Sequence, residues 1–173
     1  DNNYCLDLSG ANTGNGTNIQ LYQCNNTNAQ KFRLIKEVTP VKTIEDGTYI
    51  INSSLNQNKV IDVYGGNQAN YTNVQLYDKN NTNAQKWIVK YLDNGYYSIS
   101  SKLNRKKCLD INGASFTSGT NVQLYDCNNT DAQTWIIKDL SNGYYQIMAK
   151  KNRLSLDLEG ANTSNGTNVQ IYY

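Results

Sequence analysis

Short apolar runs alternate with polar turn residues along the whole chain, and no stretch has the spacing of an amphipathic helix. Three runs rich in aromatic and β-branched residues each follow a glycine turn, and they are predicted as strands at 49–51, 96–99 and 144–147. Three further runs alternate around an aspartate and are predicted as strands at 60–63, 108–111 and 154–158. The pattern therefore predicts an all-β protein built from short strands.

The same order of strands and loops recurs about every 47 residues, which indicates a repeat architecture. A pentapeptide of the form Asn-Val-Gln-Leu-Tyr, with one residue changed in two copies, ends at Tyr22, Tyr77, Tyr125 and Tyr172. An aspartate stands thirteen residues before the glutamine of each copy, at Asp7, Asp62, Asp110 and Asp157. A Gln-x-aromatic triplet follows the first three copies, at 30–32, 85–87 and 133–135. Because functional residues would then come in several equivalent copies, the pattern favours binding over catalysis.

The spacing between repeats is uneven and suggests a domain boundary. Asp62, Asp110 and Asp157 follow one another at 48 and 47 residues, whereas Asp7 and Asp62 are 55 apart. We expect residues 1–36 to be the last repeat of an upstream domain without its first strand, and 37–45, with the only proline, to be a linker. Residues 46–173 are expected to form a second domain of three repeats, at 46–91, 92–139 and 140–173. A further Gln-x-Trp would fall at 180 and 182, so both termini are expected to be cut from a longer tandem array.

Composition narrows the possible partners. Charged residues are 17% of the chain and the net charge is +2, which argues against nucleic acid as a partner. No apolar run reaches the roughly 20 residues that a membrane-spanning helix needs. The abundant Asn, Gln, Ser and Thr suit a neutral polar ligand.

The four cysteines form two pairs of equal spacing, Cys5 with Cys24 and Cys108 with Cys127, nineteen residues apart in each case. In the repeat between them both positions change together, to Val60 and Lys79. Paired presence and paired absence predict one disulfide within each of two repeats. Since the chain has no histidine and the cysteine spacing does not suit zinc, we expect disulfides, no metal and no cofactor, and a secreted, extracellular protein.

Two sets of residues repeat with fixed offsets. The aromatic residues of the Gln-x-aromatic triplets are predicted to be core anchors; they are Phe32, Trp87 and Trp135. The aspartates and the Gln-x-Tyr pairs are predicted to form a cup for a sugar, because a carboxylate and an amide can bind hydroxyl groups while a ring stacks on the sugar face. The alternative is structural, with the aspartate ordering its own turn and the tyrosine packing between hairpins.

Catalysis is not expected. The absence of histidine removes the commonest general base and every Ser-His or Cys-His arrangement. Glycoside hydrolysis needs two inequivalent carboxylates at one bond, whereas here the carboxylates repeat one per unit.

At these residues the chain resembles the ricin B-type lectins and the related family 13 carbohydrate-binding modules. The resemblance rests on Cys-Leu-Asp at 5–7 and 108–110, Val-Gln-Leu-Tyr at 74–77 and 122–125, and Gln-x-Trp at 85–87 and 133–135. It implies a β-trefoil, with one shallow saccharide pocket in each repeat.

The resemblance also implies the roles of individual residues. The aspartate and glutamine would hydrogen-bond the sugar and the tyrosine would stack on it; the sets are Asp7, Gln20 and Tyr22; Asp62, Gln75 and Tyr77; Asp110, Gln123 and Tyr125; and Asp157, Gln170 and Tyr172. The family usually has a sugar-contacting asparagine just before the Gln-x-Trp motif, where this chain has Ala29, Ala84 and Ala132. Asn28, Asn83 and Asp131 stand next to these alanines as candidate substitutes.

The leading hypothesis is a non-catalytic, multivalent sugar-binding β-trefoil that binds neutral glycans, galactose-type or xylan-like. It would be an accessory domain of a larger secreted bacterial glycosidase or toxin, with the neighbouring domains of that protein as further partners. The alternative is a structural or protein-interaction β-trefoil whose sugar pockets are inert. A third hypothesis, an enzyme acting on glycosides, is the least favoured.

Overall fold

The computed structural model describes residues 3–34 and 42–173. These residues form two compact units, one within residues 1–38 and the other within 39–173. Both units consist of short β-strands, loops and single-turn 3₁₀ segments. No helical segment in the described ranges has the length and apolar character that crossing a membrane would require.

The first unit is one β-hairpin followed by a turn. Strands β1 (Tyr4–Leu8) and β2 (Ile19–Gln23) pair antiparallel, and a 3₁₀ turn spans Asn28–Gln30. Phe32 follows this turn and is 47% exposed, so the prediction that it is a buried core residue is wrong for this unit. The reason is that the hairpin's own apolar side chains, Leu6 and Leu21, are also largely exposed and offer no enclosed core.

The second unit contains the remaining eleven strands. They are β3 (Gly47–Tyr49), β4 (Lys59–Val63), β5 (Thr72–Asp78), β6 (Trp87–Tyr91), β7 (Tyr96–Ser101), β8 (Lys107–Ile111), β9 (Thr120–Asp126), β10 (Thr134–Asp139), β11 (Tyr145–Ala149), β12 (Ser155–Leu158) and β13 (Val169–Tyr172). They form three successive repeats, as the sequence pattern predicts. The first two repeats have four strands each, and the third has three.

Alternation along the strands explains which side chains form the core. In the hairpin of β4 and β5, Ile61 and Leu76 are opposite each other and face the interior, as do Val63 and Val74. The two other hairpins, β8 with β9 and β12 with β13, repeat this arrangement. The core therefore lies where the inner faces of the three hairpins meet.

Trp87 and Trp135 anchor the first two repeats, and both are fully buried. The indole Nε1 of Trp87 donates to the carbonyl oxygen of Ile61, and that of Trp135 donates to the carbonyl oxygen of Leu109, each at 3.2 Å. Each tryptophan thus ties the fourth strand of its repeat to the hairpin of the same repeat. Both behave as the core anchors that the sequence predicts.

The described end of the predicted linker, residues 42–45, belongs to the second unit. The backbone N–H groups of Thr43 and Ile44 donate to the hydroxyl of the buried Tyr97. Ile44 also packs against the core of this unit. Residues 37–41 of the predicted linker lie outside the described residues.

Both predicted disulfides are present. Cys5 is bonded to Cys24 in the first unit and Cys108 to Cys127 in the second. Each bond joins the start of one strand of a hairpin to the residue just after the other strand. The described chain has no free cysteine.

Two loops are fastened to the hairpin of a neighbouring repeat, and we call these contacts the asparagine clamps. In one clamp, the side chain of Asn70 bonds both Lys107 Nζ (2.6 Å) and Asp126 Oδ2 (2.7 Å). In the other, Asn165 bonds Lys59 Nζ (2.7 Å) and Asp78 Oδ2 (2.6 Å) in the same way.

The hairpin of the third repeat receives no equivalent clamp from the loop of the second repeat. Ser118 stands where the other loops have asparagine, and its buried hydroxyl has no hydrogen-bond partner within the described part of the chain. The positions it would reach, Leu154 and Tyr173, carry no lysine or aspartate. Two clamps therefore join three repeats.

Candidate functional site

Strand pairing places the three predicted ligand residues of each repeat on one face of a hairpin. The aspartate lies directly opposite the glutamine in all four hairpins; the pairs are Asp7 with Gln20, Asp62 with Gln75, Asp110 with Gln123, and Asp157 with Gln170. The tyrosine is two residues beyond the glutamine on the same strand and therefore points to the same side. This face is the one opposite to the core.

The glutamine of each pair is hydrogen-bonded to its aspartate. Gln75 Nε2 donates to Asp62 Oδ1 at 3.0 Å, and Gln123 Nε2 donates to Asp110 Oδ1 at the same distance. The corresponding distances are 3.2 Å in the first unit and 2.9 Å in the third repeat of the second unit. Because each carboxylate oxygen has two lone-pair sites, one amide bond leaves it able to accept another hydrogen.

In the first unit and in the second repeat of the second unit, the glutamine of the Gln-x-aromatic triplet holds the second carboxylate oxygen. Gln133 Nε2 donates to Asp110 Oδ2 at 2.9 Å and also to the carbonyl oxygen of Asp126, while its Oε1 accepts from the backbone N–H of Asn128. Gln30 makes the same bond to Asp7 in the first unit, at 3.1 Å. The sequence analysis did not connect this glutamine to the aspartate, although their constant offset of 23 residues was a visible signal.

Burial changes the acidity of these aspartates. It raises the pKa of Asp62 and Asp110 above the ordinary value of 3.8, because the charged form loses contact with water. The hydrogen bonds from the glutamines oppose this shift, since they favour the ionised form. Both carboxylates thus hold their protons to higher pH than an exposed aspartate does.

The tyrosines provide the exposed part of each site. Tyr22, Tyr77 and Tyr172 are all exposed, whereas Tyr125 is half-buried. The ring of Tyr71, from the loop before β5, lies edge-on to Tyr125 with the centroids 5.1 Å apart. The neighbouring Tyr71 side chain raises the pKa of the Tyr125 phenol above its ordinary value. The second repeat therefore presents a pair of tyrosines, which the sequence analysis missed because Tyr71 comes from another repeat.

In the third repeat the predicted residues line a single pocket. Asp157, Gln170 and Tyr172 surround a cavity of about 390 Å³ together with Glu159 and the turn at 160–161. Gly160 adopts the left-handed conformation at φ 63° in the turn after β12, and both Glu159 and Gly160 line the pocket. A volume of this size lies at the lower end of the range for small-molecule sites.

The substitute ligands proposed next to the alanines are arranged less uniformly. Asn28, Asn83 and Asp131 each begin a 3₁₀ turn and are exposed. The Asp131 carboxylate forms an ion pair with Lys150 Nζ at 2.9 Å. Their role as ligands stays a prediction.

No group of three or more metal-ligating side chains comes together within residues 3–34 and 42–173. The chemistry that the sites do offer consists of hydrogen-bond acceptors, amide groups and exposed phenol rings, in equivalent sets.

The three-repeat fold, the Gln-x-Trp anchors and the repeated Asp–Gln–Tyr face define a lectin-type β-trefoil. Residues 1–77 and 83–172 match the family described as "Ricin-type beta-trefoil lectin domain-like". The chain belongs to this family, which confirms both the predicted resemblance and the predicted fold.

Individual proteins agree with this assignment. The designed threefold-symmetric protein ThreeFoil is 34% identical, with a TM-score of 0.70, over 73% of this chain and 89% of its own. The agglutinin of Rhizoctonia solani is 25% identical, with a TM-score of 0.65, over 75% of this chain and 87% of its own. Flavastacin of Elizabethkingia meningoseptica is 38% identical over 84 residues, which are 49% of this chain and 17% of flavastacin. The chain thus matches only a small part of that longer protein.

Proposed function

We propose that this chain is a non-catalytic carbohydrate-binding module for neutral glycans. The observation that carries the proposal is the pocket of the third repeat, where Asp157, Gln170 and Tyr172 line one cavity. The other hairpins carry the same three residue types on the same face.

Each residue type has a distinct part in the proposed binding. The carboxylate of Asp157 accepts hydrogens from sugar hydroxyls, and it keeps free acceptor positions because only Gln170 is bonded to it among the described residues. The carbonyl oxygen of Gln170 accepts a further hydroxyl hydrogen. The exposed ring of Tyr172 covers the apolar C–H face of the sugar.

In the second repeat, both oxygens of Asp110 accept amide hydrogens, so a sugar hydroxyl would use the remaining lone-pair positions of these oxygens. Shallow sites of this type are weak one at a time, so useful affinity comes from several sites engaging one glycan.

The ligand class and the setting of the protein are also proposals. Galactose-type or xylan-like glycans are the ligands that the family resemblance implies, and the low net charge of +2 agrees with a neutral ligand. Two disulfides agree with an extracellular location, since such bonds persist in oxidising compartments. The role would be that of an accessory domain in a larger secreted bacterial protein, a glycosidase or a toxin.

The test is a titration of the chain with lactose, N-acetylgalactosamine and a xylose oligomer, followed by calorimetry and by NMR shifts. We expect Tyr172→Ala to weaken binding about tenfold, which corresponds to about 1.4 kcal/mol for a stacked ring. Tyr4→Ala, which removes an exposed tyrosine that is outside every Asp–Gln–Tyr set, is the control and should leave binding unchanged.

A second candidate function is supported by one observation. Asp62 and Asp110 are only 5% exposed, and alanine occupies the position before each Gln-x-Trp motif. This favours a structural or protein-interaction β-trefoil with inert pockets. No binding of any neutral glycan at millimolar concentration would establish this alternative, whereas binding that is lost in Tyr172→Ala would exclude it.

A further inference from the structure

Tyr71 occupies a position at which the other loops of this kind have glycine. The residue four positions before the glutamine of each Asp–Gln–Tyr set is Gly16, Tyr71, Gly119 or Gly166. The three glycines have φ values of 83°, 86° and 89°, and Tyr71 has a φ of 68°. This left-handed conformation is easy for glycine but strained for a bulky side chain. A tyrosine here is therefore a costly exception to the repeat, and such strain is typical of functional positions.

The loop that carries Tyr71 is anchored to the hairpin of the next repeat. The backbone N–H of Tyr71 donates to the carbonyl oxygen of Leu124 at 2.9 Å, and Leu124 directly follows Gln123. The N–H of Gly119 makes the equivalent bond to Ile171, at 2.8 Å. Tyr71 thus belongs to the first repeat in sequence but borders the binding face of the second.

A side chain at this position points toward the neighbouring Asp–Gln–Tyr set. A Cβ atom placed on Gly119 would lie 3.9 Å from Oε1 of Gln170. A Cβ atom placed on Gly166 would lie at the same distance from the glutamine of the first repeat. Tyr71 carries such a side chain, and its ring centroid lies 5.1 Å from that of Tyr125, with the ring planes 67° apart.

The same loop is held in place by an asparagine clamp. Asn70, the residue before Tyr71, bonds Lys107 and Asp126 through its side chain, and its Oδ1 also accepts from the backbone N–H of Asp126 at 2.9 Å. Lys107 and Asp126 are paired with each other at 2.7 Å, which favours a neutral ligand beside them. Tyr71 is 67% exposed, so most of its ring is accessible. A ring on a fixed loop loses little conformational freedom when a ligand binds.

We propose that Tyr71 forms a second sugar subsite in the second repeat, so that this repeat binds two adjacent sugar units of a neutral glycan. The subsite presupposes the proposed glycan binding. One sugar would occupy the set of Asp110, Gln123 and Tyr125, and the C–H face of the next would stack on Tyr71. Because the two faces of one sugar ring are nearly parallel, rings inclined by 67° cannot both lie flat against a single sugar. The second ring therefore serves a second sugar unit.

An NMR titration with sugars of increasing length tests the subsite. The probes are galactose and lactose in one series, and xylose, xylobiose and xylotriose in the other. The backbone amides of Tyr125 and Tyr77 report the second and the first repeat separately. At the second repeat the disaccharide should bind about fivefold more tightly than the monosaccharide. At the first repeat the two should bind equally, because the residue that faces its glutamine is Gly166.

Tyr71→Gly restores the residue of the other loops and isolates the role of the ring. It should remove the preference for the disaccharide at the second repeat and leave monosaccharide binding there unchanged. Because glycine relieves the strained φ, the urea midpoint should stay close to that of the unchanged chain. A tyrosine that only supported Tyr125 would instead lower both stability and monosaccharide binding. Tyr4→Ala, which removes a ring of similar exposure (68%), is the control and should keep the preference.

Gly166→Tyr is the reciprocal variant, because it places a tyrosine beside the glutamine of the first repeat. It should give that repeat a preference for the disaccharide. A folded Gly166→Tyr chain without this preference would overturn the inference that the position creates a subsite.

Three further results would overturn the proposal: no preference for the disaccharide at the second repeat, a preference that Tyr71→Gly retains, or a Tyr71→Gly chain that loses monosaccharide binding as strongly as disaccharide binding. In these cases binding of sugars at the other repeats would still support the proposed function. If no sugar of either series binds any repeat at millimolar concentration, the subsite and the proposed glycan binding fail together.

Discussion

Gln133 is a single buried side chain on which both the fold and the site of the second repeat depend. Its amide donates to the Asp110 carboxylate and to the carbonyl oxygen of Asp126, each at 2.9 Å, and accepts from the N–H of Asn128 at 2.8 Å. Gln133→Ala removes all three bonds at once and leaves three polar groups to find other partners.

The expected cost follows from the bonds that are lost. A hydrogen bond between neutral groups contributes about 1 kcal/mol and one to a charged group about 2 kcal/mol, so the free energy of unfolding should fall by about 3 to 4 kcal/mol. Gln146→Ala is the matched control, because Gln146 makes one bond, to the hydroxyl of Ser155. It should cost only about 1 kcal/mol.

Urea unfolding followed by tryptophan fluorescence measures this difference directly. The chain has two tryptophans, Trp87 and Trp135, and both lie in the second unit, so the signal reports that unit alone. If Gln133→Ala cost less than about 1 kcal/mol, or no more than Gln146→Ala, the inferred role of this amide in the fold would be refuted.

The same variant should change the acidity of Asp110. The bond from Gln133 lowers the pKa of Asp110 and burial raises it, so removing the bond should raise the pKa further above 3.8. Asp110 then ionises at a lower pH in the unfolded chain than in the folded one. The free energy of unfolding therefore falls as the pH rises from the pKa of the unfolded state to that of the folded state. The destabilisation by Gln133→Ala should therefore be smaller at pH below 3.8 than at neutral pH. Equal destabilisation at the two pH values would contradict the inference that Gln133 stabilises ionised Asp110.

Three further predictions use the same unfolding and binding measurements. Asn70→Ala removes one asparagine clamp, so the free energy of unfolding should fall by about 1 to 2 kcal/mol. The pKa of Asp126 should rise, because the Lys107 ammonium and Asn70 hold it below its usual range. An unchanged pKa of Asp126 in an NMR titration would contradict this expectation. Replacing Cys108 and Cys127 together by alanine should lower the free energy of unfolding by about 3 kcal/mol, because the disulfide closes a 19-residue loop. An unchanged urea midpoint would contradict this prediction. Glycan binding at the second repeat should weaken as the pH is lowered, and the loss should begin above pH 3.8, because the raised pKa of Asp110 lets this carboxylate take up a proton there. Full binding at pH 3.8 would show that binding does not need an ionised Asp110.

Much of the fold could be predicted from local pattern. The strand around each aspartate, the disulfide partners and the buried tryptophans follow from spacing that repeats along the chain. The prediction was wrong for Phe32, because a ring is buried only when a complete set of strands surrounds it.

The site was predicted only in part. The opposition of Asp62 and Gln75 across a hairpin could be expected, since thirteen residues separate each such pair. The bond from Gln133 to Asp110 could have been inferred from a second constant offset. Tyr71 beside Tyr125 could not, because it joins side chains from two repeats.

The sequence alone determined the repeat, the type of each strand and the residues that face one another within a hairpin, because these depend on alternation and on short, fixed separations. The tertiary structure decided which side chains line one pocket, which loops are clamped, and that Tyr71 lies beside Tyr125. These features depend on contacts between residues that are distant in the chain. Such contacts form where the three hairpins meet around a common core, and they decide which side chains remain in contact with water.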